Sequence, residues 1–420
     1  MEDAIVIGAG QAGLGISRLL VQRGVPHIVL ERGRVGETWR TQRWDSFALN
    51  TPNWLNRMPG DEAEVEPRDG FLALRPWIER MDAYATANAL PVRTGSDVTR
   101  VERRLDGAFM VRTRQGHANY ETLEARAVVV ASGMQRVSRM PRFARSLPLL
   151  GTLSIHTAHY LNPAQLPPGG VLVVGSGQSG TQIAEELVLA GRTVHLSASR
   201  VSRVRRRYRG RDILEWLAGS GFLEQRAEDL PDPSMSRAAE PLTSGLGPQG
   251  HTLSLQWLEG LGVHLYGRLR DVSGGRLSFA DDLGATIRFA DESSATVNAQ
   301  IEALIAARGL GGSVAPLEPD PADEPHPDPA SVHSPPSLDL DGAGIGTVIW
   351  CTGFGGRFDY LEPDVLDERG VPRYDGVETA VPGLYVLGFP WLTCRKSGLV
   401  CGIDHDARLL ADTLTRHLAG

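Results

Sequence analysis

Residues 3–13 read DAIVIGAGQAG, and residues 170–180 repeat the pattern as GVLVVGSGQSG. Each stretch is a short apolar run followed by three glycines spaced G-x-G-x-x-G, and each continues with apolar residues at helical spacing. A second apolar run follows each predicted helix, at residues 26–31 and 193–199. The sequence therefore predicts two strand–helix–strand units, one at the start of the chain and one near its middle.

The composition is typical of a globular protein with more than one domain. The chain has 420 residues, 41% of them apolar, and its 43 basic and 50 acidic residues give a net charge of −7. At roughly 100–200 residues per domain, two or three domains are expected. Such mild acidity argues against a nucleic-acid partner. The three cysteines are not spaced as a redox or metal pair, so no disulfide-stapled fold and no metal site are expected.

The N-terminus and the hydropathy predict a cytoplasmic protein without a membrane partner. The first residues, MEDAIVIGAG, are acidic, whereas a secretory signal starts with a basic region and a longer apolar stretch. No run approaches the roughly 18 apolar residues of a membrane span. The sequence leaves the oligomeric state open, with a homodimer as one candidate.

The first glycine loop is predicted to bind FAD. Gly8 permits a sharp turn, Gly10 lets the backbone approach a pyrophosphate, and Gly13 lets helix and strand pack closely. The helix N-terminus offers free N–H groups to the phosphates. Glu31 ends the next strand, where an acid accepts hydrogen bonds from ribose hydroxyls, and Arg32 beside it is included in the predicted site. The position of the loop at the start of the chain favours FAD over NAD.

Residues 33–60 carry aromatic and amide side chains that suit a flavin ring. A flavin has an apolar body and a hydrogen-bonding edge, so tryptophans beside asparagines fit both parts. Trp39 and Trp44 are predicted to contact the cofactor, and burial in the core is the alternative for each of them.

The second glycine loop is predicted to bind NADPH. Its following strand ends at Ser199 without an acid, and such an acid would repel the 2′-phosphate of NADPH. Residues 200–211 then hold seven arginines, whose planar forks match phosphate geometry. Arg200 and Arg205 are the predicted phosphate ligands, and a solvated basic loop is the alternative. The remaining predicted contacts are Gly175, Gly177, Gln178, Ser179, Gly180 and Ser199.

These patterns predict an α/β fold with two Rossmann-like dinucleotide-binding domains, each with three layers around a parallel sheet. The FAD-binding domain is expected to be discontinuous, at residues 1–160 and 340–420, because strand patterns recur after the second unit. The NADPH-binding domain, with a helical segment, is expected as an insertion at 165–312. Residues 313–336 hold eight prolines, five acids and no Lys or Arg, which predicts a mobile loop or linker.

The motifs resemble those of the class B flavin-dependent monooxygenases, in particular the flavin-containing monooxygenases and the YUCCA-type enzymes. The resemblance covers nearly the whole chain, with GAGQAG at the first loop, ERGRVGETW at 31–39, VVGSGQSGTQIA at 173–184 and WCTGF at 350–354. The stretch RWDSFALNTPNW is closer still to uncharacterised bacterial oxidoreductases of this kind. The resemblance implies that Thr352 and Gly353 also contact a cofactor.

The resemblance also assigns roles outside the glycine loops. Asn50, in N-T-P, falls where these monooxygenases keep an asparagine beside the flavin, so a catalytic role is implied. A cap on the turn into Pro52 is the alternative for this asparagine. His156 and Tyr160 match two positions of the family's interdomain signature, and Baeyer–Villiger members carry Trp in place of that tyrosine.

The activity implied is an NADPH- and O2-dependent monooxygenation, in which O2 adds to C4a of the reduced flavin and reaches a small-molecule nucleophile, with nitrogen or sulfur favoured. The expected partners are therefore O2 and a small organic substrate. A carbon-oxidising YUCCA or Baeyer–Villiger reaction, an NADPH oxidase or diaphorase that inserts no oxygen, and a nucleotide sensor are the alternatives. A disulfide reductase needs a redox dithiol, which the cysteine spacing does not provide.

Overall fold

The computed structural model describes residues 1–61, 65–116, 119–237, 240–247 and 249–420. The α-helices of this part of the chain are α1 Gln11–Gln22, α2 Glu37–Thr41, α3 Leu74–Ala87, α4 Gln178–Leu189, α5 Ile213–Gly219, α6 Leu255–Gly260, α7 Leu283–Ala307 and α8 Val400–Ala419. Its strands are β1 Glu2–Ile7, β2 His27–Leu30, β3 Val92–Arg93, β4 Ser96–Arg103, β5 Phe109–Gln115, β6 Asn119–Val130, β7 Val137–Ser138, β8 Leu153–His156, β9 Gly170–Val174, β10 Val194–Ser197, β11 Arg207–Tyr208, β12 Arg211–Asp212, β13 His264–Tyr266, β14 Leu269–Ser273, β15 Arg276–Phe279, β16 Ser337–Asp339, β17 Ile345–Trp350, β18 Phe354–Gly355, β19 Tyr374–Asp375, β20 Glu378–Thr379 and β21 Leu384–Val386.

The first sheet carries the first glycine loop at the carboxyl end of a central strand. Its order is β19–β20–β21–β6–β1–β2–β3, and β4 and β5 join it as an antiparallel ribbon on β6. β1 runs parallel to both β2 and β6, and its residues from Ala4 to Ile7 are buried, as expected for a strand covered by helices on both faces. α8 packs against α1, so the end of the chain returns to its beginning.

The second sheet repeats this arrangement around the second glycine loop. Its order is β13–β10–β9–β17–β8, and every neighbouring pair is parallel. The domain boundaries predicted from the sequence are wrong for two strands, because β8 and β17 were expected in the first domain. Both lie in the second sheet, where β17 pairs with β9 and buries Val348 and Ile349. The sequence of a short apolar strand does not indicate which sheet the strand joins, and this explains the error.

The segment 313–336 is held by polar contacts, in contrast to the mobile loop that its composition predicts. Arg203 donates to the carboxylate of Asp323, and Thr252 Oγ1 donates to Asp320 Oδ2 at 2.6 Å. Ala322, between these acids, is only 5% exposed. The acids of the segment are therefore partners for the arginine run, which would otherwise bury positive charge without compensation.

Candidate active site between two glycine loops

The first glycine loop has the tight geometry that its sequence predicts. Gly8 adopts φ +107°, and a Cβ on it would lie 2.6 Å from the carbonyl oxygen of Ala131 at the end of β6. A Cβ on Gly13 would lie 1.8 Å from the carbonyl oxygen of Gly8. Gly10, the N-cap of α1, has no atom within 4 Å of its Cβ position. The first and third glycines are thus required by packing, and the middle one leaves open space for a phosphate to approach the backbone.

The second glycine loop repeats these contacts almost atom for atom. Gly175 adopts φ +108°, with its Cβ position 2.5 Å from the carbonyl oxygen of Cys351 at the end of β17. The Cβ position of Gly180 lies 1.8 Å from the carbonyl oxygen of Gly175, whereas Gly177 again faces open space. The two loops therefore have the same shape. Each follows a strand of a parallel sheet and leads into the N-terminus of a helix.

Glu31 lies at the end of β2, beside the first loop. Its carboxylate accepts hydrogen bonds from the backbone N–H of Ala9 at 2.8 Å and of Gly33 at 2.9 Å, and the residue is 7% exposed. It lines the cavity above the first loop together with Gly10, Arg32 and other residues. A carboxylate with two backbone donors keeps further acceptor positions, so it can still receive ribose hydroxyls.

A larger cavity lies at the second loop. It adjoins the cavity above the first loop. It encloses about 2490 Å³ of empty space, its open mouth included. Gln11, Trp39 and Gln135 line both cavities, so the two spaces adjoin and share part of their wall. The wall of the larger cavity also includes the predicted residues Trp44, Asn50, Gly175, Gly177, Gln178, Ser179, Ser199, Thr352 and Gly353.

The two predicted tryptophans occupy different positions in this wall. Trp39 stands between the two cavities and donates its indole N–H to Gln11 Oε1 at 3.0 Å. Trp44 is 2% exposed and packs edge-on against Phe47 at 5.1 Å. The indole nitrogen of Trp44 is buried and has no hydrogen-bond partner within the described part of the chain. This nitrogen is inaccessible from the cavity, so Trp44 contributes to the wall through its aromatic ring and belongs mainly to the core.

Asn50 lies in the first domain but is held by the second. Its Oδ1 accepts from Gln182 Nε2 at 3.2 Å, and its backbone carbonyl accepts from Arg206 Nη1 at 2.9 Å. Neither Gln182 nor Arg206 is among the predicted site residues. The spacing of Gln178 and Gln182, four apart on α4, puts both on one helix face and is the sequence signal that could have identified the second glutamine.

A second contact between the domains involves the loop before α8. In the loop before α8, the backbone N–H of Arg395 donates to the carbonyl of Gln225 at 2.8 Å, and that of Lys396 donates to the carbonyl of Leu223 at 3.0 Å. The ammonium group of Lys396 pairs with Glu224 at 3.0 Å. Gly398 and Leu399 of the same loop line the larger cavity, so this contact forms part of its wall.

The two arginines predicted to bind the 2′-phosphate differ in their surroundings. Arg200 is exposed next to Ser199, and its guanidinium carbon lies 4.0 Å from the ring centroid of Phe289. Arg205 is 8% exposed, pairs with Asp320 at 3.5 Å and donates to the backbone carbonyl of Glu318. The prediction that Arg205 binds the phosphate is corrected, because its guanidinium is already paired with the acidic segment. Arg200 stays the candidate for the phosphate.

His156, at the end of β8, holds the predicted residue Gly353. The backbone N–H of Ala158 can only donate, and it reaches His156 Nδ1 at 3.2 Å; the carbonyl of Gly353 can only accept, and it lies 3.0 Å from His156 Nε2. These partners require a neutral imidazole with its proton on Nε2. Burial lowers the pKa of His156, which agrees with the neutral form. This histidine is therefore a structural hydrogen-bonding residue.

The described residues contain no group of three or more His, Cys, Asp or Glu side chains arranged to hold a metal ion. In the same residues, no helix combines the length and the apolar character needed to cross a membrane.

Comparison with known proteins identifies relatives along the whole chain. Residues 5–217 match the family described as Pyridine nucleotide-disulphide oxidoreductase. An uncharacterised CzcO-like oxidoreductase of Geobacillus kaustophilus is 30% identical over 418 residues, with 99% of each chain covered. Indole-3-pyruvate monooxygenase YUCCA1 of Oryza sativa subsp. japonica is 35% identical over 200 residues, which cover 46% of each chain.

Solved structures share the fold. A flavin-containing monooxygenase from Stenotrophomonas maltophilia superposes with a TM-score of 0.64 at 19% identity, covering 99% of this chain and 98% of that one. OTEMO, solved in complex with FAD and NADP, superposes with a TM-score of 0.54 at 17% identity, covering 99% of this chain and 85% of that one. The α/β fold with two Rossmann-type units, predicted from the glycine loops, is confirmed.

Proposed function

Since the chain belongs to the pyridine nucleotide-disulphide oxidoreductase family, we propose that it is an NADPH- and O2-dependent monooxygenase that oxygenates a nitrogen or sulfur atom of a small molecule. The resemblance to flavin-containing monooxygenases is confirmed. The cofactors of the chain are FAD and NADPH, as the two loops predict. The observation that carries the proposal is the pair of adjoining cavities, one at each glycine loop, with Asn50 in the wall of the larger one.

The residues of the loops fit the two cofactors. Gly10 and Gly177 leave the space that a pyrophosphate needs. Glu31 would hold the ribose of FAD, and Arg200 would hold the 2′-phosphate of NADPH. When bound, FAD would supply the redox chemistry, as the hydride acceptor for NADPH and the group that reduces O2.

The chain's own task is to orient the reactants and to keep water away from them. Aromatic and aliphatic side chains form much of the cavity wall, among them Trp39, Phe47, Phe143, Trp350 and Phe354. The contacts of Asn50 with α4 and of Lys396 with Glu224 hold the two domains together around this space. A largely apolar cavity wall favours transfer of oxygen to a substrate over its release as H2O2.

The cysteines argue against disulfide reduction, the reaction in the family's name. Burial raises the pKa of Cys351 to about 12 and that of Cys401 to about 11, and all three cysteines are free. Thiol–disulfide exchange needs a thiolate near neutral pH. A monooxygenase does not use a thiol in this way.

Isotope labelling tests the proposal. The FAD-loaded enzyme is supplied with NADPH, ¹⁸O2 and a panel of tertiary amines and thioethers, and product mass is compared with H2O2 and NADPH consumed. We expect one ¹⁸O atom in an N-oxide or S-oxide and less H2O2 than NADPH consumed. If H2O2 equals NADPH with every compound, the protein is an oxidase and the proposal fails.

A second candidate, oxidation of an acidic substrate at carbon, is favoured by Arg43. Its guanidinium lines the larger cavity, 4.7 Å from the ring centroid of Trp39, and donates to Gln135 Oε1 at 2.6 Å. Within the described residues no carboxylate lies within salt-bridge distance of it. Burial lowers the pKa of Arg43 to about 10, which still leaves it positively charged at neutral pH. An unpaired cation in an aromatic pocket suits a substrate carboxylate.

Indole-3-pyruvate, named in the YUCCA relative, is the probe for this second candidate. Loss of CO2 with one ¹⁸O atom in the product would support it when catalase is present, because free H2O2 also decarboxylates 2-oxo acids. Arg43→Met should then raise KM for the acid about tenfold or more while leaving KM for a neutral thioether unchanged. Equal effects on both substrates would reject a carboxylate-binding role.

A further inference from the structure

We propose that Gln182 is a positioning residue that makes Asn50 a hydrogen-bond donor toward the flavin, and that the backbone carbonyl of Ser244 sets this direction. The inference rests on the proposed function, because it takes Asn50 to face the flavin from the wall of the larger cavity. It assigns a role to a residue of the NADPH-binding unit in the chemistry of the FAD-binding unit.

The direction of each hydrogen bond follows from its partner. The carbonyl of Ser244 can only accept, and Gln182 Nε2 lies 2.9 Å from it. The side chain of Gln182 must therefore present its NH2 group there. The same nitrogen lies 3.2 Å from the amide of Asn50, which must present its oxygen in return. The NH2 group of Asn50 is left to point elsewhere.

The carbonyl of Ser244 is itself fixed by a neighbouring glutamine. Gln178 accepts the backbone N–H of Thr243 at Oε1 with a distance of 2.8 Å and donates from Nε2 to the carbonyl of Ser244. Both sides of this glutamine amide are thus assigned by backbone groups, which have no alternative direction. Gln182 is 4% exposed, so water does not compete for its contacts.

Arg206 holds the backbone of Asn50 in place beside the cavity. This arginine is 1% exposed, donates to the carbonyl of Asn50 at 2.9 Å and forms a buried ion pair with Asp212. Its guanidinium also stacks on Phe71, 4.4 Å from the ring centroid. The backbone of Asn50 and its side-chain oxygen are therefore both occupied by the second domain, and the NH2 group is the part of the amide left for the cavity.

A donor in this position favours reduced FAD over oxidised FAD. Reduction adds electron density to the nitrogen and oxygen atoms of the isoalloxazine edge, and a fixed N–H group stabilises that density. A fixed acceptor in the same place would repel it. A neutral amide can present either its oxygen or its NH2 group to the flavin. The orientation of the Asn50 amide is therefore determined by Gln182.

Substitutions at Gln182 separate these two states. In Gln182→Glu the introduced carboxylate cannot donate, so it draws the NH2 group of Asn50 toward itself and turns the oxygen to the flavin. Gln182→Met removes the contact without reversing it and keeps the length of the side chain. Asn50→Asp removes the donor directly.

The measurement is the midpoint potential of bound FAD, from an anaerobic titration against a reference dye with no substrate present. We expect a potential lowered by about 30 mV, which is a tenfold change in a two-electron equilibrium, for Gln182→Met. Gln182→Glu should lower it further. The double variant Gln182→Met with Asn50→Asp should shift no more than Asn50→Asp alone, because no donor is left for Gln182 to orient.

Glu185→Gln is the matched control. Glu185 lies on the same face of α4 and holds the same loop, accepting from the backbone N–H of Leu246 at 2.9 Å and from His251 at 2.7 Å. It has no contact with Asn50. We expect this variant to lower thermal stability and to leave the potential unchanged.

The outcomes distinguish this inference from the proposed function. If no substrate is oxygenated but the potentials follow the stated order, the proposed function fails and the role of Gln182 stands. If oxygenation proceeds while Gln182→Met and Asn50→Asp both keep the wild-type potential, the inference is overturned. An equal shift in Glu185→Gln would also overturn it, because general loosening of the loop would then explain the effect. Should Gln182→Glu fail to fold, the methionine and aspartate variants carry the same comparison.

Discussion

The guanidinium of Arg203 donates from Nη2 to Asp291 Oδ1 at 2.8 Å, with the arginine 1% exposed. Its Nη1 reaches Asp323, so one buried cation joins α7 to the acidic proline-rich segment. Removing one partner of a buried pair leaves the other charge without compensation. The arrangement therefore makes a strong prediction about stability.

Arg203→Met should lower the free energy of unfolding by about 3–5 kcal/mol, because it leaves the buried carboxylate of Asp291 and the largely buried one of Asp323 without their cation. Urea unfolding followed by circular dichroism measures this change. Arg75→Ala is the control, since its ion pair with Glu79 is exposed and should contribute less than about 1 kcal/mol. Equal losses in the two variants would contradict the prediction.

The middle glycines of the two loops should separate binding of the two cofactors. Gly10→Val has space in the folded protein but fills the path of a pyrophosphate, so the variant should fold and lose FAD. Gly177→Val should keep FAD and raise the Kd for NADP⁺ at least tenfold. Flavin absorbance after gel filtration and calorimetry with NADP⁺ measure these effects. Loss of FAD in Gly177→Val would show that the loops do not act separately.

Arg200 should decide the preference for NADPH over NADH. Arg200→Gln removes the proposed ligand of the 2′-phosphate, so kcat/KM for NADPH should fall about tenfold or more while that for NADH is unchanged. Steady-state NADPH oxidation measures both values. Arg211→Gln is the control from the same arginine run, because Arg211 already pairs with Glu215 at 3.2 Å. A fall for both cofactors would indicate a structural role for Arg200 instead.

His156 should make stability depend on pH below neutrality. Burial lowers its pKa in the folded protein, whereas the unfolded chain has the ordinary value of about 6.5. The neutral imidazole therefore contributes stability above about pH 6.5, and this contribution is lost as pH falls toward the lower pKa of the folded state. The difference in unfolding free energy between wild type and His156→Gln should shrink from pH 7 to pH 5. Parallel curves over this range would show that the histidine does not titrate as proposed.

The features that could be predicted from the sequence are those fixed by neighbours along the chain. In each glycine loop, the steric reasons for three glycines arise within a few residues and from one adjoining strand. Spacing alone therefore predicts the loops, the strands beside them and the position of Glu31.

The features that could not be predicted depend on partners far along the chain. Gln182 contacts Asn50 across 132 residues, and Arg205 reaches Glu318 across 113 residues. An arginine that binds a phosphate and one that pairs with a carboxylate have the same side chain, so only the fold distinguishes Arg205 from Arg200. The place of β17 in the second sheet likewise depends on which strand edge it meets.

The membership of β17 in the second sheet has a practical consequence for work with fragments. A recombinant piece cut at 165 and 312 would omit β8 and β17, and β9 would then present a bare edge of unpaired amide and carbonyl groups. Such an edge pairs readily with other chains, so this piece should precipitate when expressed by itself. The half of the protein that carries the second glycine loop is a unit in space but not in the sequence, and a fragment of it would have to retain β8, just before residue 165, and the distant β17.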